Sequence, residues 1–385
     1  MQKRQFKRWW WMPILLLMAG LVTAQDAIGD ACAIVLRDAL DRVSACDDLA
    51  GAQTCFVNGS LNYVPREAAA TFEETGDVIN TSDFVSLTSS GLDVEAESYG
   101  IAVLNLTDTP MDPPRMIVLG DVLLRDVGSD AFTLRTQSAG VACDGAVNTV
   151  LVETPPDMAY VFNINGADIS MAGGSVLVLT AQANQALTVY TVTGAVEITS
   201  RERTERMTLG QFTRVELGLA EGLVAVSEPA VPSRYDGDVL QAVPLRLVVD
   251  GIIEIPSASQ WVATGVEVQA GDIFVLQATE FAQTGPDLPW SVAEGLSRID
   301  CAAFGRSDWD CACRRVAEFG SCTVDSLASM KLLGRVGDSQ PFVTGSGGIF
   351  RAQSAGEIFL GANDNTFEDN VGSFYVVIQV IPAAS

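Results

Sequence analysis

Short apolar runs recur along most of the chain and stop at Gly, Pro, Asn or Asp. Runs of this kind, rich in Val, Ile, Thr and aromatic residues, predict β-strands. In the first third they cover Tyr99–Leu106 and Arg115–Leu124. Farther along come Ser175–Thr180, Leu187–Val192, Ala195–Thr199 and Phe212–Leu217. The last third has Leu245–Val249, Ile252–Ile255, Val266–Val268, Ile273–Ala278, Ile358–Gly361 and Phe374–Ile381. Val196 and Ile198 alternate with Glu197 and Thr199, a strand wet on one face. The final run differs. Phe374, Val376, Ile378 and Val380 share one face, while Tyr375, Val377 and Ile381 share the other with Gln379. Apolar residues on both faces predict a central strand covered on both sides. One stretch keeps helical spacing instead: Cys32, Leu36, Leu40, Val43 and Cys46 line one face of an amphipathic helix.

The pattern predicts a mostly β chain in several units. Residues 25–140 read as an N-terminal, cysteine-containing α+β region and 141–227 as a β-rich domain. A linker at 228–242, rich in Pro and Ser, precedes a β-sandwich domain at 243–385. That domain carries a cysteine-rich insert at 298–323, in which Asp308–Phe319 reads as a short helix stopped at Gly320.

Composition removes much of the functional menu. The 385 residues include no histidine, and lysine occurs only at Lys3, Lys7 and Lys331. A Ser-His-Asp or Cys-His arrangement, a His-ligated zinc and a P-loop lysine are all excluded. With no carboxylate pair marked out by its surroundings, the chain reads as a non-enzyme; Phe72–Asp77 reads as a solvated acidic turn. A net charge of −25 opposes binding to nucleic acid or anionic lipid. Lys3, Arg4, Lys7 and Arg8 precede an apolar run from Trp9 to Val22 and the small-residue end Val22-Thr23-Ala24. This is the layout of a secretory signal peptide over 1–24, with no membrane span expected after its cleavage. The protein is therefore expected outside the cytoplasm, secreted or in the cell envelope.

Eight cysteines in such a compartment predict disulfides. Cys32 and Cys46 sit at opposite ends of the helical stretch, about 21 Å apart, and a bridge needs Cα atoms within about 7 Å. Cys32 is thus expected to pair with Cys55 or Cys143, and Cys311 and Cys313 each with Cys301 or Cys322.

The densest candidate chemistry is Asn363-Asp364-Asn365-Thr366-Phe367-Glu368-Asp369-Asn370, between two predicted strands. Hard side-chain oxygens at this density suit Ca²⁺, although the spacing is not that of an EF-hand. The same composition also suits an Asx-rich turn without an ion.

Two resemblances sharpen these readings. Leu187–Thr193, Gly194, Ala195–Thr199 and Met207-Thr-Leu-Gly210-Gln-Phe-Thr-Arg-Val215 resemble the FecR-type β domain. The resemblance implies a strand–Gly–strand hairpin and a further glycine turn, here in a structural spacer. Phe281-Ala-Gln-Thr-Gly-Pro286, Met330-Lys-Leu-Leu-Gly-Arg-Val-Gly337, and Asn363-Asp364 through Asp369-Asn370-Val-Gly-Ser-Phe374 are similar to the calcium-dependent galactophilic PA-I lectin family. That likeness implies a jelly-roll-like β-sandwich whose Ca²⁺ bridges protein and sugar hydroxyls. By it, Asp364, Thr366, Asp369 and Asn370 supply side-chain oxygens and Thr284 a backbone carbonyl. Trp290 and Phe367 are candidates to stack on the sugar. Asp364 and Thr366 stand two residues closer than in the family, Asp369 and Thr284 replace its Asn and Tyr, and its sugar-contacting His has no counterpart.

The expectation is a secreted or envelope binding protein whose partners are glycans of galactose type, bound through Ca²⁺. The contrasting reading is a structural or adhesive envelope protein with no ligand site, and a carbohydrate-active enzyme is a third.

Overall fold

The computed structural model describes residues 31–66, 72–109, 113–128, 130–137, 146–249, 251–280, 282–284, 290–291, 293–294, 327–364 and 366–383. The expected signal peptide, Cys143, the insert 298–323 and its helix lie outside the described residues. For Thr284 and Trp290 the backbone alone is described.

The molecule is mostly β, as the apolar pattern predicts. A first pair of sheets runs from residue 53 to residue 234. In one, the order is Gln211–Gly218, Ala186–Thr193, Val176–Ala181, Thr149–Glu153, Arg115–Leu119, Ile101–Asn105, Gln53–Asn58 and Val78–Asn80. In the other it is Arg203–Thr208, Ala195–Ser200, Ala167–Met171, Tyr160–Ile164, Ala131–Thr136, Val122–Asp126, Phe84–Ser89 and Leu61–Pro65. Their facing side chains fill one core, Leu104, Met116, Val150 and Leu179 from the first sheet against Leu87, Leu124, Ile164 and Ile198 from the second. Both sheets cross residue 140: Met116 pairs with Val152, and Asn163 pairs with Ala131 in a parallel step. The stretches 25–140 and 141–227 therefore share sheets and core.

The stretch Arg115–Leu124 divides at Gly120 into the strands Arg115–Leu119 and Val122–Asp126, one in each sheet. Gly194 departs similarly from the expected hairpin. The strands on either side of it, Ala186–Thr193 and Ala195–Ser200, lie in different sheets. At Gly194 the chain takes φ +73°, and a Cβ there would meet Ser175 atoms at 2.3–2.9 Å. A close approach at positive φ turns the chain from one sheet to the other, where only glycine fits.

The helix spans residues 31–41 and continues as the 3-10 turn Arg42–Cys46. Leu36, Leu40, Val43 and Cys46 bury themselves against Val57, Ile101, Val103 and Ile117 on the outer face of the first sheet. Cys46 bonds to Cys55, with Cα atoms 5.9 Å apart. That bond removes Cys55 as a partner for Cys32, which is itself disulfide-bonded. Asn58 and Asn105, both in Asn-x-Ser/Thr triplets, are buried and used as braces. Asn58 accepts from Arg42 at 3.1 Å, and Asn105 donates to the Leu49 carbonyl at 3.1 Å.

The expected linker lies on the first pair of sheets: Ser233–Arg234 pairs with Phe212 and Gln211. Leu245–Val249, expected as a strand, is instead the 3-10 turn Leu245–Leu247 with Val248 following. Pro244 begins that turn, and Leu245 and Val248 bury on one side, a three-residue spacing no strand can match.

The last unit is a second sandwich. Its larger sheet has the order Trp290–Ser291, Ala282–Thr284, Asn370–Ile381, Ile273–Thr279 and Gly347–Arg351, with Ile253–Pro256 also paired to Asn370–Ile381. The smaller has the order Val262–Val268, Gly356–Ala362, Leu332–Val336 and Phe342–Val343. Phe274, Leu276, Leu332, Ile358, Leu360, Phe374 and Val376 form its core. The strand Asn370–Ile381 is central, and its two apolar faces have separate uses. Phe374 and Val376 enter this core, whereas Val377 joins Leu36, Leu240, Leu245 and Val248 in the cluster beneath the N-terminal helix. Among the described residues no helix is long and apolar enough to cross a membrane.

Candidate functional site

The loop after strand Gly356–Ala362 leaves the smaller sheet and enters the larger one at Asn370. It thus crosses one end of the second sandwich, and both of its ends are pinned. At the first, Asn363 is fully buried and donates through Nδ2 to the carbonyls of Ala328 at 3.2 Å and Leu327 at 3.4 Å. Its backbone exchanges bonds with Met330 and Lys331 at 3.0 and 2.9 Å. At the second, Asn370 donates through Nδ2 to the Ser257 carbonyl at 2.9 Å. Ser257 in turn bonds through its hydroxyl and amide to the Gly372 carbonyl, at 2.8 and 3.1 Å.

Asn370 Oδ1 is buried and, among the described residues, has no hydrogen-bond partner. A buried acceptor left in this state is unfavourable by about 1–3 kcal/mol unless something else meets it. Asp364 is also buried, at 3% exposure. Thr366 and Phe367 are half-buried, and Glu368 and Asp369 are exposed. A turn bond from the Asn370 amide to the Phe367 carbonyl, 3.3 Å, shapes the last part of the loop.

Thr284 is the pairing partner of Asn370 across strand Ala282–Thr284, and Gln283 pairs with Trp290 on the next strand out. The backbone thus gathers Thr284, Asn370 and the loop residues Asp364, Thr366, Phe367 and Asp369 at one end of the sandwich, with Trp290 one strand farther. Among the described residues no group of three or more Cys, Asp or Glu converges as a metal cluster. An ion here would be held by Asp364 and Asp369 with neutral oxygens from Thr366, Asn370 and the Thr284 backbone, a hard-oxygen set of the kind Ca²⁺ accepts.

Two supports had no signal in the sequence. Ser257 orients Asn370 from more than a hundred positions away, and only the pairing of Ile253–Pro256 with the final strand puts it there. Glu294 bonds to Lys331 Nζ at 2.8 Å and accepts from the Ser346 amide at 2.8 Å, tying down the segment that receives Asn363. Burial works to raise the Glu294 pKa, but the Lys331 ammonium and the Ser346 donor outweigh it and hold it below the usual glutamate value.

No protein-family model matches the chain, and no curated protein matches it in sequence. Among solved structures it is similar to "EclA N-terminal domain; PllA-like lectin", at 18% identity over 34% of this chain and 99% of that one, with a TM-score of 0.24. It is also similar to two structures of a putative anti-sigma factor from Parabacteroides distasonis. One gives 12% identity over 45% of this chain and 67% of that one, with a TM-score of 0.27. The other gives 14% identity over 38% and 61%, with a TM-score of 0.25.

Proposed function

We propose that the protein is a non-catalytic, secreted or envelope-located binding protein whose 363–370 loop holds Ca²⁺ and presents it to the hydroxyls of a galactose-type glycan. The observation that carries this reading is Asn370 Oδ1, a buried acceptor without a donor among the described residues, on the same short loop as the buried Asp364 carboxylate. A divalent cation would meet the Asn370 oxygen and be held by the Asp364 carboxylate on the same loop. When bound, the ion supplies open coordination positions that vicinal sugar hydroxyls can fill. The chain's own residues hold and orient it, with Asn363 and Ser257 keeping the two loop ends in place. Phe367 on the loop, and Trp290 by its backbone position on the outer strand, are the residues we assign to the sugar ring. The disulfides and the signal-like leader support an extracellular setting.

The test is thermal unfolding of the full oxidised chain in EDTA and then in millimolar Ca²⁺. A ligand at 100 times its dissociation constant adds about 2.7 kcal/mol. An upward shift that Asp364→Ala abolishes, with galactose binding seen only in Ca²⁺, is the expected result. No shift at any calcium concentration overturns the reading and leaves a structural envelope protein.

A further inference from the structure

The outer face of the four-stranded sheet carries a second constellation. In strand Leu332–Val336, Leu332 and Val336 point into the core, so Arg335 points outward. It pairs with Phe359, which is likewise outward because Ile358 and Leu360 fill the core. On the other side of that strand, Val262 pairs with Leu360, which sets Trp261 opposite Gly361. Gly361 is what lets the backbone before Trp261 approach so closely: a Cβ at this position would meet the Gln260 carbonyl at 1.8 Å.

The Arg335 guanidinium lies between the two rings, 4.8 Å from the centroid of Trp261 and 4.9 Å from that of Phe359. Its buried Nε has no acceptor among the described residues. Among the described residues no carboxylate pairs with it, whereas Arg66, Arg115, Arg125, Arg203 and Arg246 each find one. A guanidinium held between two π faces is partly desolvated and fixed in plane, with its fork already oriented for a planar anion. In a chain of net charge −25, a cation so flanked and with no carboxylate partner among the described residues marks a place for a ligand.

We infer that Trp261, Arg335 and Phe359 form a second binding site, for the carboxylate of a hexuronic acid unit in a glycan. The carboxylate matches the guanidinium fork, and the C–H face of a pyranose matches the flanking rings. The next outward pair in the register, Glu267 and Glu357, borders the site with negative charge, and Glu357 is engaged by the Gly265 amide at 2.8 Å. That border favours one carboxylate per sugar unit over a densely sulfated chain. Phe359 precedes Asn363 by four residues, about 13 Å of strand, so the site does not use the calcium loop.

The experiment is calorimetric titration of the full oxidised chain with trigalacturonate, in EDTA throughout so that the calcium loop takes no part. Saturable binding is expected, weakened roughly tenfold or more by Arg335→Gln and by Trp261→Leu, and absent for the carboxyl-reduced trisaccharide. If Arg335→Gln fails to fold, Arg335→Lys keeps the charge while losing the fork and is expected to show the same loss. No saturable binding to the wild type, or binding unchanged in the variants, overturns the inference. Displacement by an equal concentration of sulfate also overturns it, because the site would then read charge alone. Neither result touches the calcium reading, which is measured with galactose and Ca²⁺.

Discussion

Arg246 Nε lies 2.8 and 3.1 Å from the two carboxylate oxygens of Glu280, and this pair ties the second sandwich to the rest of the chain. The same guanidinium reaches Asp41 at the end of the N-terminal helix, 3.1 Å away, and stands 5.3 Å from the centre of the Tyr375 ring. The N-terminal helix, the turn Leu245–Leu247 and the second sandwich therefore meet on one arginine. Burial pushes Glu280 up to about 7 from an ordinary value of 4.5, against the opposing pull of Arg246 and with Asp41 and Glu254 adding to the rise.

A carboxyl whose pKa is higher in the fold than in the unfolded chain stabilises the fold below its ordinary value, and that contribution is lost as pH rises through the folded value. The window for Glu280 runs from about 4.5 to about 7. Melting curves of wild type and Glu280→Gln are expected to diverge across it, with the wild type losing several degrees relative to the variant. A difference that stays flat between pH 4 and pH 8 would show that folding leaves the Glu280 pKa unshifted.

Asp364→Asn preserves the shape of the loop and removes its buried charge. In Ca²⁺ the wild type is expected to rise above its own EDTA melting temperature and the variant to stay at its own, because only the wild type carries the charge that holds the ion. Melting temperatures of both chains with and without Ca²⁺ read the difference directly.

The Cys46–Cys55 bond closes a short loop, with a sequence separation of 9. Replacing both cysteines by Ala is expected to remove about 2–3 kcal/mol, the chain-entropy value for a loop of this length, as measured by denaturant unfolding. The helix bearing Leu36 and Leu40 should then exchange its amide hydrogens faster, because this bond anchors its far end to the sheet.

Gly194→Ala puts a Cβ onto Ser175 at a φ of +73°. It also disturbs the clasp in which Ser175 Oγ bonds the Ala195 amide and carbonyl, each at 3.1 Å. A loss of about 2 kcal/mol or more is expected in denaturant unfolding. A change below about 0.5 kcal/mol would mean that the corner has room to relax.

Much of the strand content was legible because it rests on local pattern. Phe374–Ile381, apolar on both faces, is the central strand it reads as, and the helical spacing of Cys32, Leu36, Leu40 and Val43 marks a buried face. Leu245–Val249 misled because an apolar run carries no record of its partner: Pro244 and the seam beneath the helix bend it into a turn. At the candidate site, the oxygen-rich loop was visible as composition. The orphaned Oδ1 of Asn370 was not, because it depends on Ser257 taking the other half of the amide.

By itself, the sequence determined the class of material: a β-rich, acidic chain without histidine, whose alternations specify which residues face a core. These are properties of neighbours along the chain, set by side-chain period and backbone propensity. Tertiary structure alone decided which strands meet. It made one pair of sheets of residues on both sides of position 140, turned Gly194 into a corner between sheets, and placed Trp261 and Phe359 around Arg335. Strand pairing is a contact between distant segments, won by the arrangement that buries the most apolar surface with its backbone bonds satisfied, and no local window contains that sum.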